Sequence, residues 1–286
     1  MTIGQSYTIN DDYIKWAVYG GEGTGKTHFA LAATRLRKDK KVLVFNLEPK
    51  SNLYSVLRKF PDVLERTTVL PTDEDWEKIN EEAMKMDPTE KMSAFDTAIA
   101  FYVVDKIIEL SFKHRGFLKN TFVILDTASQ VYKKLMSDIL EARETDERLK
   151  RMAQLAYSEP KRRFMQMIRY TAMWPTDVIW LGRTVQAGEV INIPNTDKTR
   201  WKPIPGKENP EWKGLLNYEA TTIIYLTKKE EHLLDENRSF VLDETGQPKK
   251  SIVRYARIVK HKSGKNEIPT IRDPSPAKVM AWLRGL

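Results

Sequence analysis

The chain has 286 residues, 41% of them hydrophobic, enough to bury the core of one large α/β domain or of two small ones. It has no cysteine, which excludes disulfides, thiolate metal sites and cysteine nucleophiles. A net charge of +8 favours a polyanionic partner, while the apolar runs are far shorter than the ~20 residues of a membrane span.

Ile14 to Val18 is a short apolar run, expected as a strand, and it leads into Tyr19-Gly-Gly-Glu-Gly-Thr-Gly-Lys-Thr27. The pattern G-x-x-x-x-G-K-[ST] is met at Gly20, Gly25, Lys26 and Thr27. Its glycines let the backbone curl so that N–H groups point at a phosphate. Gly20, Gly21, Glu22, Gly23, Thr24, Gly25, Lys26 and Thr27 are therefore the expected cradle for ATP. Lys26 would reach the β and γ oxygens, and the Thr27 hydroxyl would ligate Mg²⁺.

Behind the loop, Thr27–Arg37 reads as a helix with Phe29, Leu31, Ala32 and Leu36 on its apolar side. Lys41–Leu47 reads as a buried strand. Segment 73–116 is helical in pieces, broken near Asp87-Pro88 and Gly116. Thr121–Leu125 is a second continuous apolar strand, followed by a helix through Leu140. Arg148–Met173 is again helical, with Pro160 marking a break or a start. Asp177–Leu181 is a third apolar strand. From Gln186 to Lys213 the pattern dissolves into polar residues and prolines, and a mobile loop is expected there. Thr221–Thr227 is a strand, Arg238–Leu242 and Ser251–Lys260 form a hairpin, and Pro276–Leu286 is a short helix in a tail spanning 263–286. Continuous apolar strands alternating with helices imply a mostly parallel sheet covered on both faces. The expected fold is one α/β domain over 1–286, with a C-terminal β-hairpin at its edge.

A phosphate loop needs a carboxylate to position Mg²⁺. Asp126 closes Thr121-Phe-Val-Ile-Leu-Asp126 in the Walker B form, four apolar residues and then an aspartate at a strand's carboxyl end. Glu48 closes the strand that starts at Val42 and would orient the attacking water; a surface glutamate before Pro49 is the other reading. Arg183 follows the strand 178–182 and would either sense the γ-phosphate or meet solvent. The four histidines lack metal-ligand spacing. Phe29 to Ala32 matches an F-x-x-A subunit-joining signature but is expected to be helix packing.

Lys198, Arg200, Trp201, Lys202, Lys207, Trp212 and Lys213 interleave cations with aromatics. Cations bind phosphates by releasing counterions, and an indole can stack on any unpaired base for ~1–3 kcal/mol. Single-stranded DNA is the expected partner. The helix carrying Lys161, Arg162 and Arg163 adds a second basic cluster, which is equally the wet face of a helix with Phe164, Met167 and Ile168 buried.

The order of these elements resembles the core of RecA-type recombination ATPases, and especially the short RecA-like ATPases of phages that include single-strand-annealing proteins. The resemblance spans roughly residues 12–262. It implies Walker roles for Lys26, Thr27 and Asp126, a catalytic glutamate at Glu48, and a sensor at Arg183, where bacterial RecA has a glutamine. It places the two DNA-contacting loops at 148–164 and 186–213. It also implies a homo-oligomer with ATP at subunit interfaces, to which Lys260 and Lys262 would reach from a neighbour. A cytoplasmic protein, in the host cytoplasm if phage-encoded, is expected, with no membrane partner. Two other readings stand beside this one: a nucleotide-gated loader or scaffold acting on a protein, and a P-loop kinase using 186–213 as a lid.

Overall fold

The computed structural model describes residues 13–47, 50–86, 92–136, 158–192, 199–212, 215–235, 239–261 and 268–285. Its centre is a sheet of five short parallel strands, β1 (Lys15–Gly20), β2 (Lys41–Asn46), β3 (Thr67–Leu70), β4 (Thr121–Asp126) and β5 (Asp177–Gly182), in the spatial order β1-β5-β4-β2-β3. β8 (Thr222–His232) adds a sixth parallel strand against β1. β9 (Lys250–His261) and β10 (Thr270–Arg272) follow antiparallel at that edge. The α/β class with a mostly parallel sheet is the one expected from the continuous apolar runs.

Within each central strand, neighbouring residues enter opposite core layers. Val123 and Leu125 pack on one side with α5 (Met92–Lys113), α7 (Ala128–Leu135) and α8 (Ser158–Met173). Phe122 and Ile124 face the other side, toward α1 (Lys26–Thr34), α2 (Lys50–Leu57) and α9 (Pro276–Arg284). A strand buried on both faces must be apolar at every position, which is why these segments show no alternation. Pro160 sits in the first turn of α8, where its missing N–H costs no helical hydrogen bond. In α8, Phe164, Met167 and Ile168 are fully buried, as the helical spacing requires. Phe29 is buried in α1, consistent with packing.

The buried polar groups have specific partners. Asp177 is fully buried and accepts from the Ile14 N–H at 2.7 Å and from Lys40 Nζ at 2.8 Å. Arg37 Nε lies 3.4 Å from the same carboxylate. Lys15 donates to the Thr171 and Trp174 carbonyls at 3.0 and 2.9 Å. Burial lowers its pKa to about 7, against the opposing pull of Asp177, with Lys40 lowering it further.

Two expectations are corrected, and one strand was not foreseen. The segment 186–213 is not a loop in its described part: β6 (Thr184–Asn192) and β7 (Thr199–Pro210) form a separate antiparallel ribbon, with a register shift between Gln186 and Gly188. Apart from the buried Ala187, the described side chains of this ribbon are exposed or only partly buried, so it shows no apolar face, and Pro203 and Pro210 are tolerated on its edge. The partner of β9 is β8 rather than Arg238–Leu242, because β8 continues through the charged Lys228 to His232 into solvent. Residues 239–242 make only isolated bridges, such as Leu242 with Pro248. β3 is an edge strand of four residues, Thr67–Leu70, too short to announce itself. The helical reading of 137–140 and of 148–157 lies outside the described residues.

Candidate nucleotide site

Four chain turns reach the carboxyl edge of the parallel strands: the phosphate loop after β1, Leu47 after β2, Thr127 after β4 and Arg183 after β5. That edge is where open α/β sheets bind ligands. A cleft of about 690 Å³ opens there, and its lining includes Lys26, Thr27, Asn46, Asp126, Thr127 and Arg183.

The loop has the geometry its glycines were expected to supply. Gly23 and Gly25 adopt φ of 69° and 89°, in the left-handed region that disfavours side chains. Gly25 caps α1, so the first helical N–H groups face the cleft. A Cβ on Gly20 would overlap the Leu226 carbonyl of β8, so this position too demands glycine. Thr24 Oγ1 closes the loop by donating to the Gly21 carbonyl at 2.9 Å. Lys26 Nζ donates to the Gly20 and Gly21 carbonyls at 3.0 and 2.9 Å. Its ammonium therefore lies across the loop, at the place a phosphate would claim.

Thr27 Oγ1 donates to Asp126 Oδ2 at 2.7 Å, joining the two Walker elements directly. A hydroxyl and a carboxylate in contact are hard oxygen donors that fit Mg²⁺, which usually takes one or two protein ligands and completes its shell with phosphates and water. Among the described residues no cluster of three acidic or histidine side chains exists that would suit a protein-only metal site. The Asp126–Thr127 peptide is cis, and Thr127 Oγ1 is buried in the cleft wall with no hydrogen-bond partner among the described residues.

Arg183 is exposed at the end of β5, between the strands that carry the loop and Asp126. Its backbone N–H donates to Ser129 Oγ at 3.1 Å, which ties it to the first turn of α7. Glu48 lies outside the described residues, two positions beyond Asn46. Asn46 pairs in register with Asp126, is buried, and lines the cleft. It escaped sequence reading, although a lone amide ending an apolar strand was a usable signal.

The expected DNA residues divide. Lys202 and Lys207 are exposed on β7, with Lys202 opposite Glu189 in register. Arg200 and Trp201 lie on β7 at the backbone level only, and Lys198 is outside the described residues. Trp212 is corrected: it is 0% exposed, its ring packed on Gly182 and edge-on to Tyr19, so it presents no face to a base. On α8, Arg162 is exposed, while Arg163 lays its guanidinium 4.6 Å from the centre of the Phe101 ring. Lys260 is also placed away from the loop. It pairs with Ile223 near the amino end of β1 and donates to the Asn217 and Ala220 carbonyls. Within one chain it cannot touch the cleft. Lys262 lies outside the described residues.

Two cations that sequence reading missed stand over the loop. Lys228 and Arg254 are cross-strand partners on β8 and β9, beside Gly23 and Gly25. Tyr225, also on β8, stacks on Tyr19 at 4.9 Å and donates to Glu208 of the ribbon at 3.0 Å.

No curated protein matches this chain. Among solved structures, a RadB recombinase is similar over 90% of this chain and 84% of its own, at 16% identity and a TM-score of 0.42. A type III secretion system ATPase of pathogenic bacteria is similar over 74% of this chain and 50% of its own, at 15% identity and a TM-score of 0.35. The family AAA_24, an AAA domain, matches residues 12–266, which include the phosphate loop, Asp126 and Arg183. The chain belongs to this AAA-type family of P-loop NTPases.

Proposed function

We propose that this protein is a Mg²⁺-dependent ATPase of RecA-like type that acts on single-stranded DNA, in recombination, annealing or replication, with ATP held between subunits of a homo-oligomer. The observation that carries the ATPase reading is the Thr27–Asp126 hydrogen bond at the mouth of a phosphate loop whose lysine already points into the cleft. Lys26 would leave the Gly20 and Gly21 carbonyls for the triphosphate. Thr27 and Asp126 would hold Mg²⁺ directly or through water, and the bound ion would neutralise charge that develops on the phosphoryl oxygens. Arg183 is the proposed γ-phosphate sensor and Glu48 the proposed orienter of the attacking water.

The DNA reading rests on the β6–β7 ribbon, which leaves β5 one residue after Gly182 and carries Lys202 and Lys207 into solvent. Arg183 is the residue between, so a phosphate contact and a DNA contact would share one short segment. With Trp212 buried, the stacking role falls to Trp201 alone. The test is binding of a labelled oligothymidylate with and without a non-hydrolysable ATP analogue, across a salt series. Nucleotide-dependent binding that weakens with salt, and that Lys202→Ala with Lys207→Ala reduces, supports this reading. Nucleotide-dependent self-assembly with no DNA binding would replace it with the loader, since the ribbon also carries the carboxylates Glu189, opposite Lys202 in register, and Glu208.

A further inference from the structure

The β8–β9 ribbon runs on where β1 has ended. Gly20 is the last residue of β1 and pairs with Leu226, so residues beyond Leu226 pass alongside the phosphate loop. Lys228 and Arg254 face each other across that extension, two positions beyond the pair Leu226 and Ala256. Side chains two apart on a strand share a face. Leu226 and Ala256 enter the core layer of α1, so Lys228 and Arg254 point over its N-terminus. A Cβ on Gly23 would lie 2.9 Å from Lys228 Nζ, and one on Gly25 would lie 3.2 Å from Arg254 Nε. Both cations therefore rest against loop backbone that has no side chain to hold them off.

Like charges directly opposite on a ribbon destabilise it. Neither Lys228 nor Arg254 has a carboxylate within ion-pair distance among the described residues. Arg35 and Lys59 extend the same positive field: with burial first and Arg254 next, they hold His28 below its ordinary pKa. Beside the pair lies a hollow of about 490 Å³, whose lining includes His28, Phe29, Arg254, Pro274 and Pro276. Phe29, Ala32, Val56 and Leu226 give it apolar walls, while Lys59 and Arg254 outnumber the one carboxylate, Asp273, so the balance suits a nucleobase joined to an anion.

We propose that Lys228 and Arg254 are nucleotide-binding residues supplied by the same chain, gripping ATP from the outer side of the phosphate loop, with the adjoining hollow taking the base. An anion between the two cations relieves their mutual repulsion and gains charge-assisted hydrogen bonds from both. The inference rests on the ATPase reading and deepens it, since it gives the phosphate loop a cationic flank on its outer side that needs no neighbour.

The test is equilibrium binding of a fluorescent ATP analogue with Mg²⁺ to the full chain. Lys228→Gln and Arg254→Gln are expected to weaken binding about tenfold each, as loss of a charge-assisted contact does. Arg254→Lys is expected to recover most of that loss. Lys229→Gln is the control: Lys229 lies on the other face, with its ammonium 5.7 Å from the centre of the Tyr255 ring, and its removal should leave affinity nearly unchanged. Without nucleotide, the melting temperature should not fall in Lys228→Gln or Arg254→Gln, since each removes one of two opposed like charges. Wild-type affinity in Lys228→Gln and Arg254→Gln would overturn this inference alone. An equal loss in Lys229→Gln would also overturn it, by reducing the effect to net charge. Absence of nucleotide binding by the unmodified chain would overturn both this inference and the ATPase reading.

Discussion

The Trp212 ring packs against Gly182, so close that a Cβ on the glycine would overlap three ring carbons. Gly182 ends the strand that presents Arg183, and Trp212 follows the last strand of the β6–β7 ribbon. The contact fixes the base of the ribbon to the sheet edge that carries the cleft. Tyr19, the residue before the phosphate loop, meets the same indole edge-on at 5.8 Å.

Gly182→Ala is therefore expected to destabilise the protein by expelling the indole, and Trp212→Ala to cost about 3–5 kcal/mol as a large cavity. The two should not add. With the ring gone the extra methyl has room, so the double variant should be little worse than Trp212→Ala alone. Urea unfolding of the four proteins measures this, and additive losses would contradict the packing described.

Thr27→Ala should leave the loop folded and nucleotide bound, because the loop is closed by Thr24 and capped by Gly25 rather than by Thr27. Turnover should fall about a hundredfold and the Mg²⁺ concentration for half-maximal rate should rise. A Mg²⁺ titration of the ATPase rate separates this outcome from simple loss of affinity.

Asp177 joins the amino ends of β1 and β5 through the Ile14 N–H and the cations Lys40 and Arg37. Asp177→Ala leaves two cations and an amide beside an apolar strand. Breaking a buried ion pair from one side costs about 3–5 kcal/mol, so this variant should be among the least stable single changes in the sheet. Denaturant melts check it, and a loss below about 1 kcal/mol would refute the burial argument.

Lys15 gives the fold a pH dependence of definite sign. Burial lowers its pKa from 10.5 to about 7. Between those values the unfolded chain carries more protons on this group than the folded one, so stability rises with pH. From this group alone the slope approaches about 1.4 kcal/mol per pH unit. Below pH 7 both states are protonated and the term is flat. Chemical denaturation from pH 7 to 9 should show the rise, and Lys15→Met should remove it. Above that window the tyrosines Tyr19 and Tyr225, whose pKa values burial raises, oppose the trend.

Much of the site was legible because its chemistry is local in sequence. The phosphate loop fits in eight residues, and Asp126 ends an unbroken apolar strand. Both are fixed by backbone geometry that only glycine or a buried parallel strand supplies. What stayed hidden depends on pairing across long separations. Lys228 and Arg254 look like ordinary charges on an edge ribbon until the register sets them opposite each other beside Gly23 and Gly25. Trp212 misled for the same reason. Its neighbours are polar and cationic, so only the approach of Gly182, thirty positions earlier, shows the ring to be core. The β6–β7 ribbon had no alternation to detect, because Ala187 is the one buried hydrophobic side chain among its described positions.

The most direct test of the central claim is steady-state ATP hydrolysis with Mg²⁺, with and without single-stranded DNA, using Lys26→Ala as the blank. A rate that single-stranded DNA stimulates, that fades as salt rises and that Lys26→Ala abolishes is the predicted result. Turnover equal in the wild type and in Lys26→Ala, or a rate indifferent to DNA at every salt concentration, would contradict the account.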